Sequence, residues 1–403
     1  MNFRCALKLS NPIQTYAWGS RTAIAELLGA PAPTPEPQAE MWMGAHPKAS
    51  SRVDTEEGWQ PLDRLIQRFP EDILGPGVAA RFGATLPFLF KVLAVAQPLS
   101  IQVHPDQIQA REGFDRENRA GLPLEAAERN YRDPNHKPEL ICALSEFWAL
   151  DGFRPAQDIQ EGVGALCPAS LGPLLKVLDR RTADGGIRAF FKSLMLLGEG
   201  PRRTALAEAA ERAARGSGDE QILRWVLRLN DRYPDDIGAL APAFLNLIRL
   251  RPGESLFLPA GRLHAYLEGT GIEVMANSDN VLRGGLTPKH VDVAELLQVV
   301  RFEGRLPHVQ QAEAVGEAGR RYAVPTEEFE LWALRIGTGH RWESPARRRV
   351  EILLTTEGEG EVSVPNGPAV GFAKGTALLM PAAAGAYSIA GKAMIFRAVL
   401  PEG

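Results

Sequence analysis

Gly253-Glu-Ser-Leu-Phe-Leu-Pro259-Ala-Gly261-Arg-Leu-His264 reads as turn, strand, turn and strand start. Glycine supplies the backbone freedom for a hairpin turn, the residues up to Leu258 suit a short strand, and Pro259 with Gly261 make a second tight turn. His264 then opens the next strand. The spacing recurs near the C-terminus in Gly375-Thr-Ala-Leu-Leu-Met-Pro381-Ala-Ala-Ala-Gly-Ala386, with Ala383 and Ala386 where Gly261 and His264 stood. The frame is repeated, and its histidine is not. Before the repeat, Val350–Val362 reads as strand, glycine turn and strand.

Working outward, Ser100–Asp106 reads SIQVHPD and follows the apolar run Leu86–Ala96, so it lies at the far end of a buried strand. Side chains alternate faces along a strand, so Gln102 and His104 point one way while Ile101 and Val103 point the other. Pro105 cannot donate to a ladder and ends the pairing. Glu139 opens another apolar strand directly after Pro138, where a carboxylate is costly unless paired or coordinated. His136 and Lys137 beside it add a proton donor and a cation.

The 403 residues predict two or three domains, and 23% charged with 45% apolar residues is ordinary for a soluble globular chain. A formal net charge of −4 argues against nucleic acid or an anionic membrane surface as partner. The N-terminal stretch lacks the apolar core of a signal peptide and no run is long enough to span a bilayer, so a cytoplasmic location is expected. Cys5, Cys142 and Cys167 are odd in number and far apart. Neither a disulfide framework nor a thiolate metal site is indicated, and any metal must be held by nitrogen and oxygen.

In chain order, Pro31–Pro37 is an exposed loop, Glu40-Met-Trp-Met suits a strand, and His46 and Lys48 read equally well as ligand contacts or a solvated loop end. Leu62, Leu65, Ile66 and Phe69 predict a helix within 62–82. Asp115–Arg132 is charged and helix-compatible, as a solvated face. From 155 to about 235 Ala, Arg, Leu and Glu dominate, with Asp219 as a helix cap; this reads as a helical insertion without chemistry of its own.

The Gly253–His264 spacing resembles the second motif of the cupin superfamily, which implies a mainly β fold of two jelly-roll barrels. The expected division is 1–154 and 241–305 for the catalytic barrel, 155–240 for the insertion, and 306–403 for a structural second barrel without a metal site. Where cupins commonly carry Asn four residues after the histidine, this chain has Glu268.

Continuing from His264, IEVMANSDNVLRGGLTPKHVDVAEL, together with QPLSIQVHPD, DPNHKPEL, LPAGRLHAYLEG, YAWG and EMWMGAHPK, resembles the type I mannose-6-phosphate isomerases over residues 16 to about 300. The resemblance implies zinc ligands at Gln102, His104, Glu139 and His264 and an essential arginine at Arg283. It implies interconversion of an aldose and a ketose phosphate through a cis-enediol, which needs a base, an electrophile and a phosphate anchor. Such ligands suit one Zn²⁺, although Mn²⁺ or Fe²⁺ would also be accepted. Lys137 or Glu273 is expected to move the proton, with His136 and Asp279 as lesser candidates, and Ser100, Lys91 and Lys289 to meet the phosphate. The expected partner is a small sugar phosphate and the expected state a monomer. Three rivals are a cupin isomerase of glucose 6-phosphate, which should lack the 25-residue stretch, a bifunctional enzyme with a nucleotide site, for which there is no room, and a non-catalytic sugar-binding cupin, which should have lost the ligands or Arg283.

Overall fold

The structure is a computed structural model that describes residues 1–401 except 180–182, 217, 347–348 and 366. The described chain is mainly β, in two antiparallel sheets. In the first, His264–Ala276 is the axis. Its first half pairs with Phe147–Phe153 and sets His264 opposite Gln102; its second half pairs with Phe88–Val95 and Glu139–Ala143. The change of partners falls at Gly269, where φ is 130° and a β-carbon would lie 2.6 Å from the Glu146 carbonyl oxygen. Only glycine lets the strand bend there. Phe88–Val95 and Glu139–Ala143 are buried along their whole length, which explains why they are apolar except at Lys91 and Glu139.

The second sheet runs Glu313–Val315, Gly319–Tyr322, Glu330–Ile336, Ser388–Val399, Glu351–Ser363, Ala377–Met380, Leu7–Ser10, Arg52–Thr55 and Gly58–Pro61, with Arg341–Glu343 and Val370–Ala373 paired at its sides. Both ends of the chain build it, since Leu7–Ser10 pairs with Ala377–Met380. Phe90, Val92, Leu140 and Val274 of the first sheet join Leu354, Leu379 and Ile395 of the second in one apolar cluster. Each such side chain stabilises by about 1.5–3 kcal/mol when buried, so the two sheets are fastened by shared core.

Between the two strands Phe147–Phe153 and Leu245–Leu250 the chain passes through Ala156–Leu166, Gly172–Asp179, Ala183–Met195, Glu199–Ala214 and Glu220–Arg232. This helical layer packs its apolar residues against Ile101, Val103, Leu263 and Leu282. It backs the strands that carry Gln102, His264 and Arg283. Asp219 caps Glu220–Arg232 as the sequence implied, accepting from the Gln221 and Ile222 N–H groups.

Three local expectations are corrected. The helix expected within 62–82 is three, Leu62–Arg68, Pro70–Leu74 and Pro76–Phe82, because Pro70 and Pro76 have no N–H to continue a helix. The charged run is helical only as Gln107–Arg119; Gly121 at φ 72° and then Pro123 leave the rest without a helix. Glu351–Ser363 is one continuous strand, not two around a turn. Gly358 serves close packing instead, since a β-carbon there would collide with the Lys392 carbonyl oxygen. Among the described residues no helix is long and apolar enough to cross a membrane.

Candidate active site

Register assembles the site. His264 and Arg283 both lie opposite Gln102, on its two neighbouring strands, while Glu139 lies between Leu258 and Met275, and Glu273 lies opposite Lys91. Ile101 and Val103 point into the core against the helices, which turns Gln102 and His104 the other way.

His104, Glu139 and His264 are each at most 2% exposed, and one ligand atom from each lies within 4.8 Å of the others. His104 Nε2 is 3.3 Å from Glu139 Oε1, and His264 Nε2 is 3.4 Å from Glu139 Oε2. On the far side of each ring, His104 Nδ1 lies 2.7 Å from the Asn280 carbonyl oxygen and His264 Nδ1 2.9 Å from that of Arg262. A carbonyl only accepts, so each Nδ1 carries the hydrogen and each Nε2 presents a lone pair. These lone pairs face carboxylate oxygens, and neither Nε2 nor Glu139 Oε2 has a hydrogen-bond partner. Buried acceptors crowded together repel one another unless a cation lies among them. The donor set fits zinc: two imidazole nitrogens and a carboxylate, with the Gln102 amide on the adjoining cavity wall.

The electrostatics agree with that protonation. Burial pushes the His104 pKa down to about 4, keeping the ring neutral, with Glu139 only partly offsetting it. Burial also works against ionisation of Glu139, but Lys137, with Nζ 3.0 Å from Oε1, holds the carboxyl well below the usual range.

A cavity of about 470 Å³ opens beside these residues. Ser100, Gln102, Lys91, Lys137, Glu139, Glu273, Asp279, Arg283 and Lys289 line it, while His104 and His264 reach it through Glu139. His136 does not join them. It lines a separate cavity of about 460 Å³, where Nε2 meets Glu328 Oε1 at 2.8 Å. Neighbours on an extended segment point opposite ways, so placing Lys137 inward turns His136 outward.

On one wall, the buried Lys91 ammonium lies 3.1 Å from Glu273 Oε2 and 3.5 Å from Glu40 Oε2. Trp42 donates to Glu40, and the Tyr266 hydroxyl donates to Glu273 Oε1 at 3.0 Å. Burial disfavours the Lys91 charge, yet Glu40 and Glu273 overcome this and raise its pKa. Burial also raises the Glu273 pKa, against the pull of Lys91. Arg283 and Lys289 have no such counter-charge among the described residues; burial lowers both pKa values, and Arg132 adds to it in each case. Uncompensated cations beside a cavity suit an anion. His46 and Lys48 line the cavity too, lying 3.6 and 2.9 Å from Asp279, so this loop end is not simply solvated.

Sequence reasoning passed over Glu40, Trp42, Tyr266, Arg132, Arg232 and Tyr233, all of which line the cavity. Glu40 and Trp42 had a signal, because residues at i and i+2 of a strand share a face and both sit beside Lys91. Arg232 and Tyr233 had none. They lie at the end of the helical layer, which was read as lacking chemistry, and hydrogen-bond to Gln97 at 2.6 Å and to the Pro98 carbonyl at 3.1 Å.

The catalytic-domain model for phosphomannose isomerase type I matches residues 6–156. The mannose-6-phosphate isomerase of Salmonella typhimurium is 45% identical over 355 residues, covering 87% of this chain and 89% of that protein. The Homo sapiens mannose-6-phosphate isomerase is 36% identical over 392 residues, 89% of this chain and 88% of that one. A crystal structure of the Salmonella typhimurium enzyme bound to its substrate and zinc matches with a TM-score of 0.90 at 38% identity, over 98% of this chain and 100% of that one. Identity at this level over nearly the whole of both chains, on the same fold, places this chain in the type I mannose-6-phosphate isomerase family.

Proposed function

We propose that the chain is a zinc-dependent aldose–ketose isomerase interconverting mannose 6-phosphate and fructose 6-phosphate through a cis-enediol. The observation that carries this reading is the buried group of acceptors, two imidazole lone pairs aimed at Glu139, beside a cavity whose Arg283 and Lys289 lack counter-charges. The names and bound ligands of the relatives support the choice of substrate.

In this reading Gln102, His104, Glu139 and His264 hold one Zn²⁺, which when bound polarises and orients sugar oxygens. Arg283, planar and always cationic, faces the enediolate charge. Ser100 and Lys289 take the phosphate, with Arg132 adding positive field. Lys91, already engaged by two carboxylates, contributes less to the phosphate than its sequence position suggested and instead fixes Glu273. Glu273 and Lys137 are the groups that move the proton between C1 and C2; burial brings the Glu273 pKa up toward the range useful to a general base. A non-catalytic cupin gains no support, because the ligand set and Arg283 are complete, and a glucose 6-phosphate isomerase gains none, because the 25-residue stretch it should lack is present.

We also read the two sheets as two cupin-type jelly-roll barrels. Residues 1–154 and 241–305 make the site-bearing unit around a 155–240 insertion, and 306–403 make the second, to which Leu7–Ser10 and Arg52–Thr55 lend strands. The matching turns at Gly253 (φ 87°) and Gly375 (φ 86°) support this. Action as a monomer in the cytoplasm completes the reading, and sizing in solution tests the first part of it.

Metal analysis of the purified protein, alongside coupled assays on mannose 6-phosphate and glucose 6-phosphate, tests the function. Turnover of mannose 6-phosphate that tracks zinc content supports it. Equal turnover after complete metal removal, or a preference for glucose 6-phosphate, overturns it.

A further inference from the structure

Lys137 arrives at the site on a segment, Arg132–Pro138, that forms no helix or strand, and Glu139 opens a strand directly after it. Something outside the segment must hold it. Asn280 is fully buried, and its side-chain amide is spent on this segment alone. Its Oδ1 accepts from the Arg132 N–H at 2.7 Å and the Asp133 N–H at 3.3 Å. Its Nδ2 donates to the carbonyls of Asp133 and Asn135, both at 2.8 Å. The backbone carbonyl of the same residue accepts from His104 Nδ1–H at 2.7 Å. Asp133 returns the bond, its carboxylate accepting from the Asp279 N–H at 2.7 Å and the Ser278 hydroxyl at 2.8 Å.

We propose that Asn280 is a positioning residue of the metal site, locking the tautomer and angle of His104 while suspending the segment that delivers Lys137 and Glu139. The inference rests on reading His104, Glu139 and His264 as zinc ligands. It concerns the two ligands that come from different parts of the chain, since His264 is steadied by the carbonyl of Arg262 on its own segment. With the Asn280 amide gone, two N–H groups and two carbonyls of this loop lose their partners. The loop then shifts relative to His104, and Glu139 leaves the geometry the ion requires. Partners of this outer kind typically control metal affinity by roughly 10–100-fold.

The test is zinc affinity by chelator competition, with melting temperature measured on the same samples, for wild type, Asn280→Ala, Asn280→Asp, Ser278→Ala and the control Leu378→Ala. Leu378 is a buried apolar residue of the second sheet, so its truncation lowers melting without touching the knot. The expected result is zinc binding weakened about 10–100-fold in the Asn280 variants, a smaller loss in Ser278→Ala, and no loss in Leu378→Ala at a comparable drop in melting. Should Asn280→Ala fail to fold, Asn280→Asp and Ser278→Ala carry the comparison, and a loss of affinity in either supports the proposal. Wild-type affinity in variants whose melting has fallen as in Leu378→Ala overturns it and makes Asn280 structural only. A wild-type protein that binds no zinc overturns instead the reading of the metal site on which the proposal stands.

Discussion

Glu139 and Glu351 occupy the same place in two copies of one turn-and-strand unit. Glu139 lies opposite Leu258, which follows the Gly253 turn, and Glu351 lies opposite Met380, at the same distance from the Gly375 turn. Both carboxylates are buried. The difference is in what answers them. Around Glu351 the chain supplies the counter-charge itself: Arg397 reaches the carboxylate at 2.9 Å, the Tyr387 hydroxyl donates at 2.6 Å, and the guanidinium packs 4.6 Å from the Trp342 ring centre. Around Glu139 stand Lys137 and two imidazole lone pairs, and Oε2 has no donor. A buried carboxylate is costly in either place. Closing it with an arginine makes a structural pair, and surrounding it with further acceptors makes a site for a cation.

The sharpest way to break this contrast is to remove a histidine. His104→Ala or His264→Ala is expected to weaken zinc binding by more than the roughly 100-fold that losing an outer partner costs, and to abolish turnover. Full zinc occupancy by elemental analysis in both variants would reject the assignment.

On the other side, Glu351→Gln leaves the Arg397 charge buried without its partner, which should cost about 3–5 kcal/mol in denaturant unfolding. Turnover per folded molecule should not change. Replacing the pair together, Glu351→Leu with Arg397→Met, should recover most of the stability, because apolar side chains of similar volume remove both desolvation costs. A selective loss of turnover at unchanged melting would show that the second sheet does more than support the first.

Arg283→Lys comes next. It keeps the charge and loses the planar fork, so zinc, melting and substrate affinity should persist while turnover falls on the order of a hundredfold. A raised KM with turnover little changed would move Arg283 to the phosphate.

The smallest effect is a pH dependence, and it should come from the site-bearing half. Burial pushes the His46 pKa down to about 4, although Asp279 pulls the other way. An unfolded histidine takes its proton near pH 6.5, so the unfolded state binds more protons between the two values. Stability is therefore full above about pH 6.5 and declines as pH falls toward 4, by at most about 3 kcal/mol. His46→Gln should reduce that slope in denaturation midpoints between pH 7 and 5, leaving the part that His104 contributes, since burial pushes its pKa down to about 4 as well. Arg397 adds nothing in this window, since Glu351 overcomes the effect of burial and raises its pKa.

How far the sequence reaches follows the same division. The strands and turns carrying Gln102, His104, Glu139 and His264 were legible because alternation and glycine spacing are local, and a carboxylate in an apolar strand is anomalous on its face. The helix breaks at Pro70 and Pro76 were legible too and were passed over in favour of apolar spacing. What was not legible is whatever depends on pairing between distant strands or layers. Nothing in Val350–Val362 tells one strand with a tight crossing at Gly358 from a hairpin. Nothing in Arg232–Tyr233 announces that the end of a helical layer closes a cavity beside Gln97. His136 and Lys137 are neighbours of equal chemical interest, and only the folded segment shows that they face different cavities.

The central claim is tested most directly by titrating zinc into metal-stripped wild-type protein and into Glu139→Gln, reading mannose 6-phosphate turnover at each addition. Turnover of the wild type should rise in proportion to bound zinc and stop at about one ion per chain, with no rise in Glu139→Gln. Full activity in the stripped wild type, or Glu139→Gln taking up zinc as tightly and turning over as fast, would contradict it.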